Sequence, residues 1–183
     1  MVSVFSLYNN VNYIDERVMS MSTKGTVSIR KAEVKDYQGV SFLMDELQQM
    51  HVEARPDIYR MLQPRMEEKE FGELLNTDKR YLYVAEFSET GVILGYGSAE
   101  LSIIQDVDLL VNRNMLYIHE LVINSQYRGQ GTGKQLIHAF IELGRSLQAH
   151  SVELSVSTFN AGAQTFYEQM GLAVRSSRME YML

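Results

Sequence analysis

The run Tyr127-Arg128-Gly129-Gln130-Gly131-Thr132-Gly133-Lys134 constrains this chain more than any other stretch. It stands between an apolar, strand-like segment, residues 116–123, and a segment of helical period in which Leu136, Ile137, Phe140, Ile141 and Leu147 recur on one face. A strand that turns through glycines into a helix points successive amide N–H groups into one concavity. The positive end of the new helix dipole adds to the same place. The turn is built to receive an anion.

Spacing decides which anion. A triphosphate-binding loop needs Gly, four residues, Gly-Lys, then Ser or Thr. Counting back from Gly133-Lys134, the first glycine position holds Arg128, and the magnesium-binding hydroxyl position holds Gln135. The dinucleotide pattern Gly-x-Gly-x-x-Gly fails too, because Gly129 and Gly131 are followed by Lys134 where the third glycine belongs. The pattern that fits is Arg/Gln-x-x-Gly-x-Gly. Arg128, Gly131 and Gly133 satisfy it, and so do Gln126, Gly129 and Gly131 in a second register; Tyr127 before Arg128 favours the first.

With Leu121, Val122 and Ile123 leading into Tyr127-Arg128-Gly129-Gln130-Gly131-Thr132-Gly133, the chain resembles the GNAT superfamily of acyl-CoA-dependent N-acetyltransferases. A second block in the expected order strengthens the resemblance: Asn160-x-x-Ala163-x-x-Phe166-Tyr167-Glu168-x-x-Gly171-Leu172. The likeness covers roughly residues 27–183, the first half by its pattern of elements only. It implies a mixed α+β fold: a central, mostly antiparallel twisted sheet of six to seven strands flanked by helices.

Composition bounds the alternatives. A chain of 183 residues holds one domain with a sizeable core. There is no cysteine, which removes disulfides, thiolate metal sites and a cysteine nucleophile together. Four scattered histidines suggest no metal site. A formal net charge of −6 argues against nucleic acid as the main partner and mildly favours cationic substrates. No apolar run approaches membrane-spanning length, and the start of the chain lacks the pattern of a signal peptide, so a cytoplasmic protein without membrane association is expected. Residues 1–25 read as an N-terminal extension, and residues 26–183 as a single domain.

Within that domain the pattern predicts a strand over 27–32, a helix over 35–51, a proline-punctuated helical stretch towards Leu75, and a hairpin of 81–87 with 92–104. A polar loop, a strand over 115–124, a helix from Gly131, a strand over 151–157 and a helix over 160–170 follow. A closing strand is expected within 172–183.

The resemblance assigns roles. Acetyl-CoA is the implied acyl donor, with no metal, and an amine-bearing molecule the acceptor. Leu121, Val122 and Ile123 would offer main-chain groups to the pantetheine arm. The amides of Arg128, Gly129, Gln130, Gly131, Thr132, Gly133 and Lys134 would hold the pyrophosphate, and Asn160 would contact the arm further along. Tyr167 is the expected proton donor to the departing thiolate. His119 and Glu120 are candidates for the base, with Tyr117 on the same strand. Their side chains should point opposite ways unless a bulge resets the phase. Some ribosomal-protein N-terminal acetylases carry a glutamate where this chain has Ser155, which puts that mechanism in doubt.

Acceptor choice in the family lies between the first helix and the second strand, where His51 and Asp57 flank a proline break. Glu67-Glu68-Lys69-Glu70 in the same region reads more readily as a solvated helix face. The sequence does not choose the acceptor or the oligomeric state, although similar proteins commonly form homodimers. An acyl-CoA-binding sensor or catalytically silent relative remains open, as does a nucleotide-binding protein that converged on the loop.

Overall fold

Alternation along one central strand sets the layering. In β2 (Arg80–Phe87), Leu82 and Val84 turn to one face while Tyr81 and Tyr83 turn to the other. A sheet apolar on both faces needs a helical cover on each. The computed structural model, which describes residues 25–183, has both covers.

Five strands make one sheet in the order β1 (Val27–Lys31), β2, β3 (Val92–Ile104), β4 (Arg113–Ile123) and β5 (Ser151–Leu154). Neighbours are antiparallel except β5, which lies parallel to β4. A parallel neighbour requires a crossover, and α3 (Thr132–Ser146) supplies it. One face is covered by α1 (Tyr37–Ala54) and α2 (Glu68–Leu75), which bury Val40, Leu43, Met44 and Phe71 against Leu82, Val84, Tyr96 and Val122. On the other, Leu136, Ile137 and Phe140 of α3 pack on Ala99, Leu116 and Ile118. Phe166 and Tyr167 of α4 (Ala161–Gln169) join that second core. Gly97 lets α3 sit close, since a β-carbon there would stand 2.6 Å from the Phe140 ring.

Polar contacts fix the entry to α1 and the long connector after it. Buried Asp36 accepts from Arg30 Nη1 and Nη2 at 2.7 and 2.8 Å, while Arg30 Nε donates to Glu86 at 2.7 Å. Strand β1 is thereby tied to the turn before α1 and to β2. Gln48 Nε2 donates to the Leu62 carbonyl at 3.1 Å, and Asp45 accepts the Arg65 amide at 2.7 Å, holding the connector against α1.

Three expectations need correction. The sheet has five strands among the described residues, not six or seven, and residues 172–183 form no strand. A strand forms only where a ladder partner exists, and this segment has none among the described residues. Here the tail is held by side chains: Arg175 to Glu153 at 2.8 Å and Glu180 to Arg55 at 2.6 Å. Strand β5 also ends at Leu154 rather than Ser157, because its ladder with β4 stops at Ile118 and Leu154. The proposed extension, residues 1–25, lies outside the described residues apart from Gly25.

Candidate active site

A bulge in β4 organises the site. In the β3–β4 ladder Ser98 pairs with Glu120 but Ala99 pairs with Ile118, so His119 is the extra residue. An added residue resets the alternation of the strand beyond it. Before the bulge Leu116 and Ile118 face α3; after it Leu121 and Ile123 do, and Val122 faces α1. His119 and Glu120, which plain alternation would separate, both reach the α1 face.

There they meet groups from two other strands. Arg80 of β2 donates from Nη1 to Glu100 Oε2 at 3.1 Å and from Nη2 to Ser98 Oγ at 3.2 Å. The Ser98 hydroxyl donates to Glu120 Oε2, which also lies 3.6 Å from Arg80 Nη2. His119 Nε2 stands 3.3 Å from Glu100 Oε2, and the Tyr117 ring meets the His119 ring edge-on at 5.0 Å. Deep beside this network, burial and the Glu120 charge push the Tyr96 phenol well above the usual tyrosine range. Tyr117 itself bonds Ser155 Oγ at 2.8 Å, where β4 and β5 begin to part. Beyond that point the β5-facing edge of residues 119–123 has no strand partner among the described residues.

At the end of β4 the glycine-rich loop is open. Gly129 and Gly131 take φ of 76° and 90°, the left-handed region that suits glycine, and a β-carbon at either would meet nothing within 4 Å. Gly131 caps α3, whose first intrahelical bond runs from Gln135 N to Gly131 O at 3.1 Å. The N–H groups of Gly129, Gln130, Gly131, Thr132, Gly133 and Lys134 find no acceptor among the described residues. The Arg128 side chain turns away: Nε donates to the Ile123 carbonyl at 2.9 Å and Nη2 to Glu46 of α1 at 2.8 Å. Of the β4 residues expected to present main-chain groups, Ile123 therefore has its carbonyl engaged.

Helix α4 borders the same region. Asn160 caps it by accepting the Ala163 amide at 3.1 Å, and its Nδ2 lies 3.7 Å from Met50 Sδ of α1. The Phe166 ring edge would stand 3.4 Å from a β-carbon on Gly133, so α4 is seated against the loop. Tyr167, in the second core, has its hydroxyl pushed up to about 12 by burial and stays protonated at neutral pH. The base candidates and Tyr167 thus belong to opposite faces of the sheet, on either side of the line where β4 leaves β5.

His51, at the end of α1, packs edge-on against Tyr59 and Phe159 with ring centroids 5.0 and 5.5 Å away. Its Nδ1 lies 2.8 Å from the Leu47 carbonyl, and its Nε2 has no hydrogen-bond partner among the described residues. Asp57 is engaged by Arg55, which holds it below the usual carboxylate range. The run Glu67 to Glu70 is exposed at the start of α2. Sequence reasoning missed Glu46, Arg80, Ser98 and Glu100, because each joins the site through a pairing distant in the chain.

Comparisons with known proteins give the family and the fold. Residues 44–172 match the family described as the acetyltransferase (GNAT) family, and the chain belongs to it. An uncharacterised N-acetyltransferase of Methanocaldococcus jannaschii is 30% identical over 101 residues, covering 55% of this chain and 42% of that protein. N-acetyltransferase 8B of Mus musculus is 33% identical over 97 residues, covering 53% and 39%. The chain spans less than half the length of these curated relatives. Among solved structures, a mutant of the BH1408 protein from Bacillus halodurans has a TM-score of 0.83 at 29% identity, covering 85% of this chain and 99% of its own. Glucosamine-6-phosphate N-acetyltransferase from Arabidopsis thaliana shares the fold, with a TM-score of 0.65 at 23% identity over 86% and 98% of the two chains.

Proposed function

We propose that this chain moves an acetyl group from acetyl-CoA to a primary amine by direct attack in a ternary complex. The supporting observation is the run of unpaired amides from Gly129 to Lys134 at the start of α3, beside the strand edge that β5 leaves free. A diphosphate needs such a set of donors and the positive end of a helix. The β-carbon-free surfaces of Gly129 and Gly131 leave room for its oxygens.

Acetyl-CoA supplies the activated acyl carbon when bound. The chain's own residues do the rest. The amides of 129–134 anchor the diphosphate, the free edge of β4 aligns the arm through Leu121 and Val122, and Asn160 flanks it from α4. Holding two reactants in line is worth ~7–11 kcal/mol in favourable cases. An amine with a pKa near ~10.4 must also lose a proton before it attacks. The bulge of β4 offers His119 and Glu120 for that task, and Tyr167, neutral at physiological pH, offers a proton to the leaving sulfur from the other face. The acceptor enters beside His51, Tyr59 and Phe159, with Tyr117 deeper along the same face.

The test is calorimetric titration with acetyl-CoA, ATP and NAD, followed by thiol release across polyamines, aminoglycosides, amino acids and peptides. Selective binding of acetyl-CoA and amine-dependent thiol release are expected. Preference for ATP or NAD would end the reading, and acetyl-CoA binding without turnover would make the chain a sensor.

A further inference from the structure

We propose that His119, rather than Glu120, takes the proton from the incoming amine, and that Glu100 and Arg80 are the positioning residues that equip it. This rests on the acetyl-transfer reading above.

Availability separates the two candidates. Glu120 is turned inward, its Oε2 occupied by the Ser98 hydroxyl and close to Arg80, and its side chain is 19% exposed against 34% for His119. His119 stands at the crest of the bulge, on the strand segment that has just lost its β5 partner.

Glu100 distinguishes the two ring nitrogens of His119. Its Oε2 lies 3.3 Å from Nε2, and a carboxylate that only accepts favours the ring hydrogen on that nitrogen. Nδ1 then carries the lone pair that the incoming amine meets. Glu100 is itself held from the opposite side by Arg80 Nη1 at 3.1 Å, and the Arg80 side chain is nearly buried. Orienting an imidazole through its far nitrogen is how a carboxylate prepares the near one for proton transfer.

Charge points the same way. Glu100 and Glu120 confront one guanidinium, so the cluster carries one excess negative charge while His119 is neutral. Protonation of His119 brings it to neutrality. The charged and titratable groups facing His119 are Glu100 from β3, Arg80 from β2, and Glu120 and Tyr117 from its own strand; Glu70 of α2 acts on the adjoining Tyr96. In the step, one N–H bond of the acceptor ammonium breaks and its electron pair stays on nitrogen. The proton passes to Nδ1, giving an imidazolium that Glu100 steadies and that returns the proton to solvent after product leaves.

The full chain and its H119Q, E100Q and E120Q variants decide the matter. Removing a general base costs about 10²–10⁴-fold, so H119Q should lower kcat by about 10²-fold at unchanged acetyl-CoA affinity. E100Q should lower it by about tenfold and move the acid limb of the kcat/KM profile to lower pH, and E120Q should cost under about tenfold and leave that limb in place. Loss of kcat by ~10²-fold in E120Q with H119Q active, or an unmoved limb in E100Q, would overturn the proposal. Nitrogen-15 spectra of labelled histidine give a readout free of turnover. Wild type should show the Nε2–H tautomer at His119 and E100Q a mixture; an Nδ1–H tautomer in wild type sinks the assignment. A wild-type chain that consumes no amine would end the acetyl-transfer reading, while the tautomer still judges the Glu100 contact.

Discussion

Arg128 and Glu46 join the glycine-rich loop to α1: the guanidinium donates to Glu46 Oε1 at 2.8 Å, and the same carboxylate accepts the Ser125 amide at 3.0 Å. The loop's open amides are therefore shaped by a helix more than eighty residues away. A charge-assisted bond at partial exposure is worth roughly 1 kcal/mol. Glu46→Ala should weaken acetyl-CoA binding by about fivefold, measured by calorimetry, with faster hydrogen exchange at 125–128. Unchanged affinity and exchange would show that the loop keeps its shape unaided.

Gly131 and Gly72 form a matched pair for substitution by alanine. Neither has an atom within 4 Å of a new β-carbon, but Gly131 has φ of 90° and Gly72 lies inside α2. Gly131→Ala should cost about 1–2 kcal/mol through backbone strain and weaken acetyl-CoA binding as well. Gly72→Ala should stabilise by about 0.5–1 kcal/mol. Thermal or urea unfolding distinguishes them, and a neutral Gly131→Ala would mean the loop adopts another backbone path.

Tyr167→Phe should lower kcat at least about tenfold while acetyl-CoA still binds, since it removes the proton donation proposed for this hydroxyl. There is a stability signature too. The hydroxyl is raised by burial to about 12, so it contributes stability below pH ~10, where the unfolded chain's tyrosines are also protonated, and loses it as pH climbs towards 12. The variant should show a shallower alkaline decline than wild type in unfolding measured from pH 9 to 12. Near-normal turnover would remove Tyr167 from the chemistry.

Asp36 carries the acid side of the same argument. Burial pushes its carboxyl up, but hydrogen bonds from Arg30 and the Glu33 amide outweigh it and hold the group below its ordinary range. A depressed value gives stability above pH ~4 that is lost as pH falls through the folded-state pKa. Asp36→Asn should destabilise the fold by about 1.5–3 kcal/mol at neutral pH, because Arg30 loses one of its two carboxylate partners and keeps only Glu86. The difference from wild type should shrink towards pH 2, as acid titration with circular dichroism would reveal. An equal difference at both extremes would assign the loss to packing.

The loop was readable because left-handed backbone demands glycine and so leaves a written trace at Gly129 and Gly131. Helix α3 was readable for a similar reason, its apolar period. The bulge was not. Nothing in Ile118-His119-Glu120 marks an extra residue, and only the ladder with β3 exposes it. Arg80 and Glu100 stayed hidden because they face each other by register across β2 and β3 and reach His119 through a third strand. Asp57 stood as a candidate for acceptor choice, and nothing in the sequence marked its ion pair with Arg55, two residues away. A closing strand was expected within 172–183, but pairing depends on a neighbour that no local pattern reports.

The bulge also makes β4 a segment whose residue count is as consequential as its chemistry. Deleting His119 would only abolish the bulge, but inserting one residue after Glu120 would send Leu121 and Ile123 towards α1 and Val122 towards α3, so both cores would lose their fit in one genetic event. Length variation among working versions of this chain should instead collect in the exposed loop between β3 and β4, which can lengthen or shorten without turning any strand over.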